Sequence, residues 1–109
     1  MKAEETGMLL RVFIEEKEKL HGQPAYEWIV RLARERGLAG ATVTRGILGY
    51  GGDKVIHSAK LLEISDDLPM IVEIMDDEEN LLKFIAEIGA VIKSGLATLE
   101  EVRKFRFGK

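Results

Sequence analysis

The sequence contains no cysteine and, with Gln23 and Asn80, only two side-chain amides. The absence of cysteine excludes disulfide bonds, thiol catalysis and cysteine-ligated zinc or iron–sulfur sites. The scarcity of amides beside many charged residues is typical of proteins from organisms that live at high temperature. An excess of positive charge is also lacking, since the net charge is -3 and the isoelectric point is near 5.4. This composition disfavours a bulk electrostatic interaction with nucleic acid.

Long apolar runs are absent as well. No stretch of about 18 apolar residues occurs, and residues 1–5 include two glutamates where a signal peptide would be apolar. We therefore expect a cytoplasmic protein. The 109 residues, 46% of them apolar, predict a single globular domain over 1–109 with one core.

Two segments have the apolar spacing of amphipathic helices. The first runs from Pro24, at the first helical position, to a stop at Gly37. Its apolar residues are Ala25, Trp28, Ile29, Leu32 and Ala33. The second begins at the capping-box spacing of Asp76 and Glu79 and continues until Gly95. Its apolar residues are Leu81, Phe84, Ile85, Ile88 and Ile92.

Extended segments surround these two helices. They are 8–14, 41–47, a strand broken by a turn over 60–64 and 69–75, and the end of 96–107. The charged connector 15–22 is predicted to be a solvated loop in which Leu20 turns back. The order βαββαβ predicts an α+β ferredoxin-like sandwich, a four-stranded antiparallel sheet with two helices on one face.

The first and third strands are apolar on both faces. One set consists of Leu10, Val12, Ile14, Val72 and Ile74, and the opposite set of Leu9, Phe13, Ile71 and Met75. Two helices can cover only one of these faces, so the other would be exposed to solvent in an isolated subunit. We therefore expect self-association, with sites in clefts between subunits.

A glycine cluster separates the second and third strands. Gly46, Gly49, Gly51 and Gly52 lie within seven positions around Tyr50. A glycine cluster is ordinarily a turn, but this connection is longer than a hairpin loop and predicts a flexible protruding loop. Glycines also let backbone N–H groups approach an anion closely.

The segments 41–51 (ATVTRGILGYG) and 67–74 (DLPMIVEI), with His57 between them, resemble the PII signalling proteins. The resemblance is closer still to the PII-like family of small proteins of unknown function. The triplet Gly-Tyr-Gly stands where that family has Gly-aromatic-Gly, and His57 stands where PII proteins have a Gly-His pair. The segment 95–102 is similar to the region that follows the second PII helix.

The resemblance implies a homotrimer that binds an adenine nucleotide as an effector, with no required cofactor and no turnover. AMP is favoured over ADP and ATP because segment 93–98 lacks the fuller phosphate loop of true PII proteins. The loop 48–59 would present itself to a regulated partner protein, such as a membrane transporter. It is shorter than in PII, so uridylylation is not expected. The implied nucleotide-binding residues are Thr42, Gly49, Tyr50, Gly51, Gly52, His57, Glu73, Met75 and Gly95, with Arg103 and Arg106 from the neighbouring subunit.

Structural alternatives exist for several of these residues. Glu73 could instead pair with Arg11 across the sheet. Arg103 and Arg106 lie on opposite sides of the last strand, so both face one pocket only where the chain twists or ends. His57 could serve as an ordinary hydrogen-bonding residue of the loop.

Other functions share the βαββαβ order. An acylphosphatase needs a phosphate-binding loop with an arginine directly after the first strand. Residues 15–18 are Glu-Glu-Lys-Glu, whose net negative charge would repel a phosphate. An RNA-recognition motif would need a basic and aromatic signature that is missing. A metal-linked trimer of the CutA type is an alternative, although only two histidines are available. We therefore expect no enzymatic activity and no nucleic-acid partner.

Overall fold

A computed structural model of the chain describes residues 3–60 and 67–108. The principal elements are β1 (Ala3–Glu15), α1 (Ala25–Glu35), β2 (Ala41–Arg45), β3 (Pro69–Asp76), α2 (Glu78–Gly89) and β4 (Leu96–Arg106). The four strands form one antiparallel sheet in the order β2, β3, β1, β4. This is the predicted ferredoxin-like arrangement, which is therefore confirmed.

The core lies between the two helices and one face of the sheet. On the sheet it consists of the predicted set Leu10, Val12, Ile14, Val72 and Ile74, all of them buried, together with Met70. The helices contribute Ala25, Ile29, Leu32, Ala33, Leu81, Phe84 and Ile88. Each large side chain buried in this way stabilises the fold by roughly 1.5–3 kcal/mol. The helical periodicity therefore identified the face of each helix that packs on the sheet.

α1 is flanked by residues that start and stop a helix. Pro24, predicted as the first helical residue, is instead the N-cap, one position before the helix begins at Ala25, and its missing N–H leaves no helical donor unpaired. Gly37 follows the helix with a φ of 73°, a left-handed conformation that glycine adopts without strain. In the connector before α1, Lys19–Leu20 pairs with Gln23–Pro24, which was not predicted, and Leu20 is buried, as predicted.

α2 differs from the prediction at both ends. The capping box does not form, since the N-cap is Asp77 and makes no side-chain cap hydrogen bond. The carboxylate of Asp76 instead accepts hydrogen bonds from the backbone N–H of Asp77 and the side chain of Asn80. The helix ends at Gly89, short of the predicted stop at Gly95, although the intervening apolar residues still pack on the core.

β1 begins at Ala3 rather than at Met8 because residues 3–7 pair with the end of β4. The neighbouring strand β3 ends opposite Met8, so beyond this point β1 and β4 form a two-stranded ribbon. Ion pairs join the two strands of the ribbon. They link Glu4 to Arg103, and Glu5 to both Lys104 and Arg106.

β2 is also shorter than predicted. β2 ends at Arg45 rather than Ile47, and the loop that follows has a short stem in which Leu48–Gly49 pairs with His57–Ser58. β3 begins at Pro69. Of the predicted first half of this strand, Lys60 lies in a turn and 61–64 lies outside the described residues.

The face of the sheet opposite the helices carries the second predicted apolar set. Leu9, Phe13 and Ile71 are partly exposed there, and Met75 is 46% exposed. Within residues 3–60 and 67–108, neither helix is long and apolar enough to cross a membrane.

Candidate functional site

The predicted nucleotide-binding residues divide between two cavities. The arginine cavity, of about 700 Å³, is lined by Leu9, 39–42, Glu73, Met75 and 103–106. The glycine cavity, of about 620 Å³, is lined by 13–15, Glu18, 49–52, Lys54, His57, Asp67, Pro69, Met70 and 94–96. Thr42, Glu73, Met75, Arg103 and Arg106 therefore belong to the first cavity, and the remaining predicted residues to the second.

The arginine cavity lies on the open face of the sheet, beside the ribbon of β1 and β4. Thr42 is directly opposite Glu73 in the pairing of β2 with β3. Arg103 and Arg106 both line the cavity although they occupy opposite sides of β4. At this position β3 has already ended and β4 pairs only with β1.

The arginines of this cavity are held by carboxylates of β1. Arg103 Nε donates a hydrogen bond to Glu4 Oε2 at 2.6 Å, and Arg106 Nε donates one to Glu5 Oε1 at 2.8 Å. The hydrogen bond from Arg106, with the charges of Arg106 and Lys104, lowers the pKa of Glu5. Exposed ion pairs contribute little to stability, so a guanidinium can exchange such a carboxylate for a phosphate.

Glu73 pairs with Arg11 across the sheet, which is the structural alternative to nucleotide binding given above. Arg11 Nε donates a hydrogen bond to Glu73 Oε2 at 2.9 Å, and the same guanidinium also donates to Glu100 on β4. These hydrogen bonds raise the pKa of Arg11. Glu73 therefore lies at the edge of the arginine cavity as part of a three-residue polar contact across the open face.

The glycine cavity lies at the opposite end of the sheet, under the base of the loop. Tyr50 lines it and is 63% exposed, and Lys54 Nζ lies 5.7 Å from the centre of the Tyr50 ring. The backbone N–H of Lys54 donates to the carbonyl of Gly51 at 3.0 Å, closing a turn.

Gly95 has a packing role in the glycine cavity. A Cβ at this position would lie 2.9 Å from Ile14 Cγ2 and 3.0 Å from the carbonyl oxygen of Phe13. Both distances are shorter than ordinary van der Waals contacts, and the carbonyl belongs to the backbone of β1. Glycine thus lets the chain entering β4 approach β1 closely.

Three carboxylates that the sequence analysis did not assign also line the glycine cavity: Glu15, Glu18 and Asp67. Asp67 is buried, and its Oδ1 accepts a hydrogen bond from the backbone N–H of Lys17 at 3.0 Å. Burial and the charges of Asp67 and Asp53 raise the pKa of Glu15. This cluster could have been predicted from the sequence. The acidic run 15–18 begins at the end of β1, and Asp67 lies two residues before β3, the strand that pairs with β1.

His57 joins the loop stem to this acidic cluster. Its Nε2 lies 3.9 Å from Asp67 Oδ2, too far for a hydrogen bond. This nitrogen is shielded from solvent and has no hydrogen-bond partner among the described residues. Across 3–60 and 67–108, no three potential ligands from histidine, aspartate or glutamate are arranged to hold a metal ion.

The two cavities differ in charge. The arginine cavity is lined by Arg103, Lys104, Arg106 and Glu73, and its three cations pair with Glu4 and Glu5 of β1. In the glycine cavity, three carboxylates outnumber Lys54. The glycine cavity is therefore acidic, and the guanidinium groups of the arginine cavity can bind an anion only by leaving their carboxylates.

The cavities are also far apart within one chain. On β4, Leu96 lines one and Arg103 lines the other. Seven residues of extended strand span about 23 Å. A single nucleoside monophosphate therefore cannot contact both Gly95 and Arg103 of the same protomer.

Comparison with known proteins agrees with this architecture. Residues 7–104 match the family described as DUF190, Uncharacterized ACR, COG1993. A UPF0166 protein of Aquifex aeolicus is 47% identical over 94 residues, which cover 86% of this chain and 89% of the Aquifex protein. A second UPF0166 protein, from Methanocaldococcus jannaschii, is 30% identical over 99 residues, covering 90% and 91%.

Among solved structures, the fold is similar to that of CPII, a nitrogen regulatory PII-like protein from Thiomonas intermedia K12. That structure was determined with ADP, AMP and bicarbonate bound. The TM-score is 0.67 at 18% sequence identity, with 95% of this chain and 92% of the other chain covered. The predicted resemblance to PII-like proteins is therefore confirmed at the level of the fold, and the match over 7–104 shows that the chain belongs to the DUF190 family.

Proposed function

We propose that this protein is a PII-like regulator that binds an adenine nucleotide, AMP in preference to ADP and ATP, in the clefts of a homotrimer. The observation that carries the proposal is the division of the predicted residues between two cavities at opposite ends of the sheet. A site built from the glycine cavity of one subunit and the arginine cavity of its neighbour would unite them. The nucleotides bound to CPII, a protein of similar fold, support this choice of ligand.

In such a site the two halves would have different tasks. Backbone N–H groups of 49–52 would bind the phosphate, together with Arg103 and Arg106 of the neighbouring subunit. Thr42 and Met75 would contact the adenine, and Glu73 would accept a hydrogen bond from the exocyclic amine or a ribose hydroxyl. In these roles the groups would bind and orient the nucleotide, and binding would be followed by signalling rather than turnover.

The loop 48–59 would carry the signal to a partner protein. Within and beside it, five large apolar residues are exposed: Ile47, Leu48, Tyr50, Val55 and Ile56. Exposed apolar groups favour a protein partner, with a membrane transporter as one candidate, over nucleic acid. Nucleotide contacts made in only one loop conformation would shift the population toward it and change the partner affinity by the same free energy.

Calorimetric titration with AMP, ADP and ATP, combined with native mass measurement, tests the nucleotide site. We expect one AMP per subunit in a trimer. The double variant Arg103→Gln/Arg106→Gln should lose affinity by at least about tenfold, since each charge-assisted hydrogen bond contributes roughly 1.5–3 kcal/mol. Arg34→Gln, an exposed arginine of α1 outside both cavities, is the matched control. A trimer that binds none of the three nucleotides would overturn the proposal.

Mixed trimers test whether the site is shared between subunits. A Gly51→Glu variant places a carboxylate in the glycine cavity, whereas the double arginine variant impairs only the other half. Each variant alone should bind weakly, but mixed trimers should regain one intact cleft, formed by the two unaltered halves. Failure of mixing to restore any tight binding would contradict the shared site.

Hydrogen exchange tests the signalling step. AMP should increase protection of the amides in 48–59 and leave those of α1 unchanged. Unchanged exchange in the loop at saturating AMP would show that population shift of the loop is not the mechanism.

A further inference from the structure

The wall of the glycine cavity contains an acidic segment directly beside the glycines. Glu15 is the last residue of β1 and pairs with Pro69, the first residue of β3. Glu18 lines the same cavity three residues later, and Asp67 lies two residues before Pro69. The antiparallel pairing of β1 with β3 thus brings two acidic stretches, distant in sequence, to one end of the sheet.

The carboxylates of Asp67 and Asp53 already repel that of Glu15. Burial raises the pKa of Glu15, and the charges of Asp67 and Asp53 raise it further, while His57 opposes them. Glu15 therefore experiences a negative local potential. An anionic ligand placed in this cavity would meet the same potential, and its repulsion would grow with each added charge.

The available cations set the charge that the shared site can accept. Among the described residues that line the glycine cavity, Lys54 is the only lysine or arginine, and its ammonium lies beside the ring of Tyr50. The proposed neighbour would add Arg103 and Arg106. A monophosphate carries about two negative charges at neutral pH, and a triphosphate carries about two more, so the repulsion from Glu15 and Glu18 would be larger for the triphosphate.

We propose that Glu15 and Glu18 determine nucleotide specificity, rejecting ATP and ADP by charge repulsion while admitting AMP. The inference rests on the proposed function, because it assigns the residues that select the ligand of that same site. The two glutamates would bind no ligand themselves. Their effect is exerted through the negative potential at the phosphate position.

The test compares AMP and ATP binding by calorimetry in the wild type, Glu15→Gln, Glu15→Gln/Glu18→Gln and the control Glu101→Gln. Glu101 is exposed and lines neither cavity, so its variant changes the net charge equally. EDTA is present to prevent divalent cations from neutralising the phosphates. Glu15→Gln should fold at least as well as the wild type at pH 7, since the amide removes the repulsion.

The ratio of the AMP and ATP affinities is the decisive quantity. We expect each glutamine substitution at positions 15 and 18 to shift this ratio toward ATP by about fivefold. This is the Coulomb effect of one carboxylate charge on the two extra charges of ATP across roughly 8 Å of water. Added salt should reduce this shift, and Glu101→Gln should not produce it. If the wild type binds AMP but the substitutions leave the ratio unchanged, charge selection by these residues is wrong. If neither the wild type nor the variants bind any nucleotide, the proposed function fails and this inference fails with it.

Discussion

At the scale of single residues, glycine is required by the approach of two strands at Gly95. The carbonyl of Phe13 and the side chain of Ile14 occupy the space that a Cβ would need. Gly89, in contrast, is the last residue of α2, and a Cβ added there would meet no atom within 4 Å. The same substitution should therefore have opposite effects at the two positions.

We expect Gly95→Ala to lower the free energy of unfolding by about 1–3 kcal/mol, because backbone must move to relieve the overlap. Gly89→Ala should be neutral or should raise it by up to about 1 kcal/mol, since alanine favours the helix. Urea unfolding followed by circular dichroism measures both changes. Equal stability of Gly95→Ala and the wild type would show that the contact at β1 is not restrictive.

At the scale of elements, Asp76 connects three parts of the fold at the end of β3. Its carboxylate accepts hydrogen bonds from Asp77 N at 2.7 Å, Asn80 Nδ2 at 2.8 Å and Ala39 N at 2.9 Å. The bond to Ala39 reaches the connection between α1 and β2. Burial acts to raise the pKa of Asp76, but these hydrogen bonds outweigh it, so the pKa is lowered.

We expect Asp76→Ala to lower the free energy of unfolding by about 1–2 kcal/mol at pH 7, because three donors lose their acceptor. The amide of Ala39 should then exchange faster. The amide of Gly46, which donates to the carbonyl of Pro69, should be unaffected. Unchanged exchange at Ala39 would contradict the proposed connection.

The contribution of Asp76 should also depend on pH. A carboxylate whose pKa is lowered by folding stabilises the native state above the ordinary aspartate pKa. This stabilisation is lost as the pH falls through the lowered value. The difference in stability between the wild type and Asp76→Ala should therefore be largest near neutral pH and should shrink in acid, as measured by urea unfolding across a pH series.

At the scale of the whole molecule, the open face of the sheet is the main surface without a covering layer. Leu9, Phe13, Ile71 and Met75 surround the polar contact of Arg11 with its two glutamates. The helices cannot reach this face, because both pack on the other side. Self-association through the open face would remove its apolar side chains from water.

We expect Ile71→Glu to convert the proposed trimer into a folded monomer, because each added charge would have to be desolvated in the interface. Leu82→Glu is the matched control, since Leu82 is 52% exposed on α2 and away from the open face. Sedimentation and native mass spectrometry measure the assembly, and circular dichroism confirms folding. A trimer that survives Ile71→Glu would mean that subunits associate through another surface.

The elements that the sequence predicted well are those with local periodic patterns. The helix faces containing Ile29 and Phe84, and the alternation around Val12 and Val72, follow from the apolar order of neighbouring residues. The ends of elements were less accurate where they depend on distant partners. The polar start of β1 pairs with β4, and the bond between Glu4 and Arg103 joins residues 99 positions apart, so no local pattern could reveal it.

The sequence by itself determined the order of elements, the apolar surfaces that pack together and the residue types that resemble the PII-like proteins, because local spacing encodes all three. Only the tertiary structure decided how the candidate site residues are grouped. Antiparallel pairing brings Thr42 to Glu73 and Glu15 close to Asp67, while the length of the strands separates these two groups. Such groupings depend on strand register, which is fixed only when the whole sheet forms.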